Sequence, residues 1–122
     1  MKTKVLIVDD EKDFCYFIRK TLEASGDFDV ITSSDGKEAF GLIRNHKPDL
    51  VLLDVMMPGF SGPDIAAEMK EYEKTKNIPI VFVTAVVRAG EVFENNNMIG
   101  GWHYLAKPVK TPQLVEMINQ LT

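Results

Sequence analysis

Three uninterrupted apolar runs, Val5-Leu6-Ile7-Val8, Leu50-Val51-Leu52-Leu53 and Ile80-Val81-Phe82-Val83, each stop at a residue that can do chemistry: Asp9, Asp54 and Thr84. Continuous rather than alternating apolar character over so short a stretch marks a strand covered on both faces, as in a parallel sheet with helices on either side. With two weaker runs added, the expected strands are residues 4–8, 28–32, 50–53, 80–83 and 102–105.

Segments of helical period lie between them. Phe14, Phe17, Ile18, Thr21 and Leu22 recur at the spacing that turns one helix face to a sheet. Asp35 and Glu38 have capping-box spacing ahead of a stripe of Ala39, Leu42, Ile43 and His46. Pro63 after Gly62, and Pro112 after Thr111, open two more helices, because proline's fixed φ and missing N–H do no harm in a first turn. Ile65, Met69 and Tyr72 line the first of these, and Leu114, Val115, Ile118 and Leu121 the second. A fourth helix, within residues 86–99, is expected to be short, frayed or displaced, since Gly90 and Asn95, Asn96 and Asn97 disfavour helix interiors. Five βα units with short right-handed connections predict a doubly wound α/β/α three-layer sandwich, with residues 1–122 as one domain.

No apolar run exceeds five residues, far short of the roughly 20 that span a bilayer. Lys2 and Lys4 precede a run too short for a signal-peptide core, so a cytoplasmic protein is expected. A lone cysteine, Cys15, suits a reducing compartment and reads as an ordinary helix thiol. The formal charge of −4, without a basic stripe, argues against direct nucleic-acid binding.

Ligands of open parallel sheets bind beyond the carboxyl ends of the strands. Those positions hold Asp9, Asp10, Asp54, Thr84 and, just past the last strand, Lys107. Alone, an acidic pair would be a helix cap, a threonine a satisfied hydroxyl and Lys107-Pro108 a turn. If the first and third strands are neighbours, however, three carboxylates meet in one crevice with an ammonium at its rim. Carboxylates that close repel one another unless a cation neutralises them, and an all-oxygen donor set favours Mg2+ or Mn2+ over Zn2+. Mg2+ takes one or two carboxylates plus phosphate oxygens, which leaves a third carboxylate to accept a phosphoryl group as an acyl phosphate.

The constellation Val8-Asp9-Asp10-Glu11, Leu52-Leu53-Asp54 through Met56-Met57-Pro58-Gly59-Phe60-Ser61-Gly62, Val83-Thr84-Ala85 and Tyr104-Leu105-Ala106-Lys107-Pro108 resembles the response-regulator receiver domain of two-component signalling, over nearly the whole chain. The resemblance implies a flavodoxin-like fold with strand order 2-1-3-4-5. It makes Asp54 the phosphoacceptor and assigns a Mg2+ site to Asp10, Asp54 and the Met56 backbone carbonyl, with Asp9 acting through water. Lys107 would pair with the carboxylate or phosphoryl oxygen, Thr84 would hydrogen-bond the phosphoryl group, and Tyr104 would be a rotating switch residue. The Lys107–Pro108 peptide would be cis. Partners would be a sensor histidine kinase or histidine phosphotransfer protein and a downstream protein. The contact face, which could also serve a homodimer, would be the fourth helix, fifth strand and last helix.

Some features depart from relatives. Gly100-Gly101 stands where Gly-Ala is common, after three asparagines, which loosens the segment that shapes the output face. Trp102 and Tyr104 share one side of the last, edge strand, either as a partner anchor or packed beneath the fourth helix. The resemblance implies that Met56 and Val86 flank the water that hydrolyses the acyl phosphate; both are apolar here, so a long-lived phosphorylated state is expected.

The chain would catalyse only its own modification and is not expected to turn over a separate substrate. The alternative is a phosphorylation-independent interaction module with a redirected output face. An aspartyl phosphatase would want Asp-x-Asp and a cap, and a flavin carrier a Ser/Thr/Gly-rich first loop.

Overall fold

The computed structural model describes residues 2–57, 61–85, 98–99 and 102–122. Its elements are β1 (Thr3–Val8), α1 (Lys12–Ala24), β2 (Phe28–Ser33), α2 (Gly36–His46), β3 (Leu50–Asp54), α3 (Gly62–Glu71), β4 (Ile80–Thr84), β5 (Met98–Ile99), β6 (Trp102–Ala106) and α4 (Thr111–Leu121). The sheet order is β2-β1-β3-β4-β6-β5. Neighbours among the first five are parallel, and β5 runs antiparallel to β6. The five strands expected from the sequence therefore lie in the expected flavodoxin-like order, with β6 as the expected fifth.

Each β1 side chain has a helix layer to enter because alternate residues point to opposite faces. Val5 and Ile7 join α1 and α4 in one core cluster, while Leu6 and Val8 join α2 and α3 in the other. Burial along the whole of β3 and β4 follows from this double cover, whereas β2 and β6 are partly exposed and depart from the expected burial on both sides. The sheet turns its order around between β2-β1 and β3, which opens a crevice at the carboxyl ends of β1 and β3.

Several local expectations need correction. The buried stripe of α1 is Cys15, Ile18 and Leu22, with Phe14 packed at its margin. Phe17, expected on that face, is 57% exposed; it stands one residue from Ile18, about 100° around the helix. Thr21 turns its hydroxyl back to the Phe17 carbonyl at 2.7 Å. His46 is exposed at the end of α2. Asp35 does cap α2 by accepting from the Lys37 N–H, but Glu38 accepts from Ser33 Oγ at 2.7 Å instead of closing a capping box. The reciprocal box is found at α3, between Ser61 and Asp64.

Residues 98–99 are strand where a helix was expected, and they pair with Trp102 and His103, so the start of β6 is not a sheet edge. The rest of the expected fourth helix, including Val86, Gly90 and Asn95 to Asn97, lies outside the described residues, as do Pro58, Gly59, Phe60, Gly100 and Gly101. Trp102 packs edge-on to Phe82 at 5.4 Å between ring centres, with Lys70 of α3 5.7 Å from its own ring centre.

The two faces of α1 predict opposite responses in urea denaturation. Ile18→Ala should cost about 2–5 kcal/mol, and Phe17→Ser should stay within about 0.5 kcal/mol of the parent.

Candidate functional site

The crevice is built where strands stop. Asp9 follows β1, and its N–H donates to the Ser33 carbonyl at 3.0 Å, which ties it to the end of β2. Asp9 is 1% exposed. Its Oδ1 accepts from the Glu11 N–H at 2.9 Å, doing at the start of α1 the capping that the Glu11 side chain does not do. Its backbone carbonyl accepts from Cys15 Sγ at 3.4 Å.

Asp54, 7% exposed, is the last residue of β3, and its Oδ1 accepts a 3.4 Å hydrogen bond from the Met56 N–H. The Met56 side chain is exposed. Asp10 is exposed at the mouth, and one carboxylate oxygen from each of Asp9, Asp10 and Asp54 falls within 4.8 Å of the others.

Lys107 reaches this group from the far side. Its N–H donates to the Thr84 carbonyl at 2.9 Å, so the end of β4 holds the loop after β6. Nζ then lies 2.8 Å from Asp9 Oδ2, 2.6 Å from Glu11 Oε1 and 3.9 Å from Asp54 Oδ2. The Lys107–Pro108 peptide is cis. Thr84 is buried at the carboxyl end of β4, opposite Ala106. The structure thus brings together Asp9, Asp10, Asp54 and Lys107, with Thr84 on the adjoining strand end.

Tyr104 is placed differently. It stands within β6, half-buried, with its ring 5.2 Å from that of Phe82 on the α3 side of the sheet. Val86 lies outside the described residues.

The donor set fits a hard divalent cation, being all oxygen and rich in negative charge. Asp9 Oδ2 supports that fit. Its approach to Lys107 is a charge contact without hydrogen-bond direction, and it is the one buried side-chain oxygen lacking a hydrogen-bond donor among the described residues.

Two further contributors carried no assigned role in the sequence. Glu11 binds Lys107, and only its place beside Asp9-Asp10 could have signalled this. Gly62 opens α3 against the end of β3, where a Cβ would collide with the Asp54 carbonyl oxygen, and its N–H donates to Val55 at 3.3 Å. Glycine alone permits so close an approach to the end of β3.

Electrostatics follow from burial and crowding. Loss of solvent, then the Asp9 charge, push the Asp54 carboxyl up to about 6, against a partial opposing pull from Lys107. Burial on its own would lower the Lys107 pKa, but the carboxylates of Asp9 and Glu11 outweigh it and raise it above its ordinary value. Burial and Asp9 also push the Cys15 thiol up to about 11, so it stays protonated at neutral pH and is no nucleophile.

A pH dependence follows with a definite sign. Between the ordinary carboxyl value of 3.8 and about 6, the metal-free folded chain holds a proton on Asp54 that the unfolded chain has released. That stabilisation is fully present below the window and is lost as pH rises through it. In urea melts with a chelator present, stability should fall over this interval, and Asp54→Asn should flatten the fall and raise the midpoint at neutral pH.

Comparison with known proteins agrees with this architecture. Residues 5–119 match the response regulator receiver domain family. The polar-differentiation response regulator DivK of Brucella anthropi is 34% identical over 120 residues, covering 98% of this chain and 95% of that protein; its Brucella ovis counterpart is 35% identical with the same coverage. Among solved structures, the receiver domain of the Francisella response regulator 1452 superposes with a TM-score of 0.80 at 30% identity, covering 98% of this chain and 96% of that one. The Vibrio cholerae chemotaxis protein CheY4 gives 0.83 at 25% identity over the full length of both chains. With the parallel sheet, the acid cluster and these similarities taken together, the chain belongs to the response-regulator receiver domain family.

Proposed function

We propose that the chain, as a single receiver domain over residues 1–122, takes a phosphoryl group onto Asp54 from the phosphohistidine of a sensor histidine kinase or a histidine phosphotransfer protein. The observation that carries this is the position of Asp54, with carboxylate oxygens of Asp9 and Asp10 within 4.8 Å and Lys107 Nζ 3.9 Å away. A carboxylate oxygen of Asp54 attacks phosphorus, the P–N bond breaks, and its electron pair leaves with the imidazole. An acyl phosphate results.

Asp10, Asp54 and the Met56 backbone carbonyl would hold Mg2+ or Mn2+, with Asp9 acting through water. When bound, the cation supplies positive charge to the phosphoryl oxygens. Lys107 supplies the same from the loop after β6, and positioning and neutralisation make up most of what phosphoryl transfer requires. Thr84 donates its hydroxyl to a phosphoryl oxygen, and Tyr104 changes its packing against Phe82 as the populations of two surface states shift. A downstream protein reads that shift. The face built by the fourth helix, β6 and α4, through which a homodimer would also form, rests in part on residues outside those described. No separate substrate is turned over. No helix among the described residues is long and apolar enough to cross a membrane; we assign the protein to the cytoplasm, where its phosphodonor would be met, and assign it no nucleic-acid contact.

Titration with Mg2+ and beryllofluoride, followed by amide NMR, tests metal, site and switch together. Wild type should shift at Asp54, Met56, Thr84, Tyr104 and Lys107, and Asp54→Ala should not. Unchanged wild-type spectra would instead favour a phosphorylation-independent interaction module.

The exposed, apolar Met56 side chain offers no hydrogen bond to an attacking water. With Val86 equally apolar, the acyl phosphate should outlast a time course of seconds when Mg2+ is present and no phosphatase is added. Loss of the bound phosphoryl mass within that time would contradict the assignment of these two positions.

A further inference from the structure

The ammonium of Lys107 is aimed away from the residue it is expected to serve. Glu11 Oε1 at 2.6 Å and Asp9 Oδ2 at 2.8 Å are its near neighbours, Asp54 Oδ2 is at 3.9 Å, and the Phe14 ring centre lies 4.7 Å from Nζ. Glu11 and Phe14 both come from the start of α1, and neither belongs to the acid cluster. On the footing that Asp54 is the phosphoacceptor, we propose that Glu11 is a positioning residue: its carboxylate, with the Phe14 ring alongside, tethers the Lys107 ammonium on the α1 side of the crevice and sets how readily it reaches Asp54 and an arriving phosphoryl group.

The physical basis is competition for one compact charge. An ammonium has three donors and no directional fork, so it divides itself among whichever carboxylates stand nearest. The Lys107 backbone is held by its hydrogen bond to Thr84, which leaves the flexible four-carbon stem as the moving part. Phe14 packs on the α1 core cluster and gives the ammonium a fixed aromatic surface. Glu11, by contrast, has a side chain 63% exposed, so its pairing is screened and easily broken. A contact of that strength retards the lysine without trapping it. The Glu11 charge also stands at the mouth through which an anionic donor enters, and this second effect has the same sign on rate.

The two effects separate by side-chain length. Glu11→Gln removes both charge and tether. Glu11→Asp keeps the charge but draws it back by one methylene from Nζ. Each variant and the wild type are phosphorylated with acetyl phosphate at saturating Mg2+, with the phosphorylated fraction followed by intact mass. Mg2+ affinity is measured separately by amide NMR without a donor.

Glu11→Gln should speed phosphorylation roughly two- to fivefold, the range for an exposed ion pair, and Glu11→Asp should give most of that gain. Mg2+ binding should weaken in both, because a released ammonium moves onto the Asp54 carboxylate. A faster reaction with weaker metal binding is a pairing that a loosened fold does not produce. The tether is overturned if Glu11→Asp behaves as wild type while Glu11→Gln is faster, if rate and affinity fall together, or if neither variant differs from the parent. A wild type that takes no phosphoryl group overturns the Asp54 assignment and the proposal with it, which separates that failure from the others.

Discussion

Everything at the carboxyl end of this sheet depends on how a crowd of carboxylates is kept in low-dielectric surroundings. Asp9 and Asp54 are both nearly inaccessible, and Asp10 adds its charge from the rim. Within the protein their balance comes from Lys107, contributed by a loop almost a hundred residues away in sequence. Among the described residues, that one cation faces three acids and Glu11 as well. Burial first, and then the remaining negative charge, raises the Asp54 pKa, and that charge suits the crevice to a divalent ion.

The scaffold makes this arrangement tolerable. β1, β3 and β4 are buried along nearly their whole length between two helix layers, so the carboxyl ends of these strands are stationary points. Asp9 and Lys107 are each tied by a backbone hydrogen bond to a neighbouring strand end, Ser33 and Thr84 respectively. Gly62 allows α3 to begin directly against the backbone of Asp54. Asp9 and Asp54 are thus positioned by main chain, and the Lys107 ammonium is shared among the carboxylates around it. That division between backbone-held acids and a shared cation fits the phosphoryl transfer proposed for the site.

The chain's periodicities made most of the fold legible. Buried strands read as unbroken apolar runs, and the Pro-opened helices began where the prolines placed them. The failures were local. Phe17 and His46 have plausible spacing, yet a helix on a sheet covers only a narrow stripe, and small residues such as Cys15 and Gly36 took the interior places. Glu38 met a nearer hydroxyl in Ser33 than the backbone donor its spacing suggested. The pairing of residues 98–99 with β6 could not be read locally, because a strand of two residues has no period.

At the site, residue types and order along the chain were enough to name Asp9, Asp10, Asp54, Thr84 and Lys107 as one chemical group. Each alone has an ordinary structural reading, but together at successive strand ends they point to one crevice, and local sequence records such placements directly. What no local pattern records is distance between segments. That Lys107 sits nearer to Glu11 and Asp9 than to Asp54, that Phe14 lies against its ammonium, and that Tyr104 packs on Phe82 within the sheet are all outcomes of how β6 and α1 settle around the core. Coulomb energies and ring contacts vary over fractions of an ångström, whereas periodicity resolves only which face of an element a residue occupies. The three aspartates and Lys107 were therefore written in the chain, and how the Lys107 ammonium is shared among them and Glu11 was settled by packing.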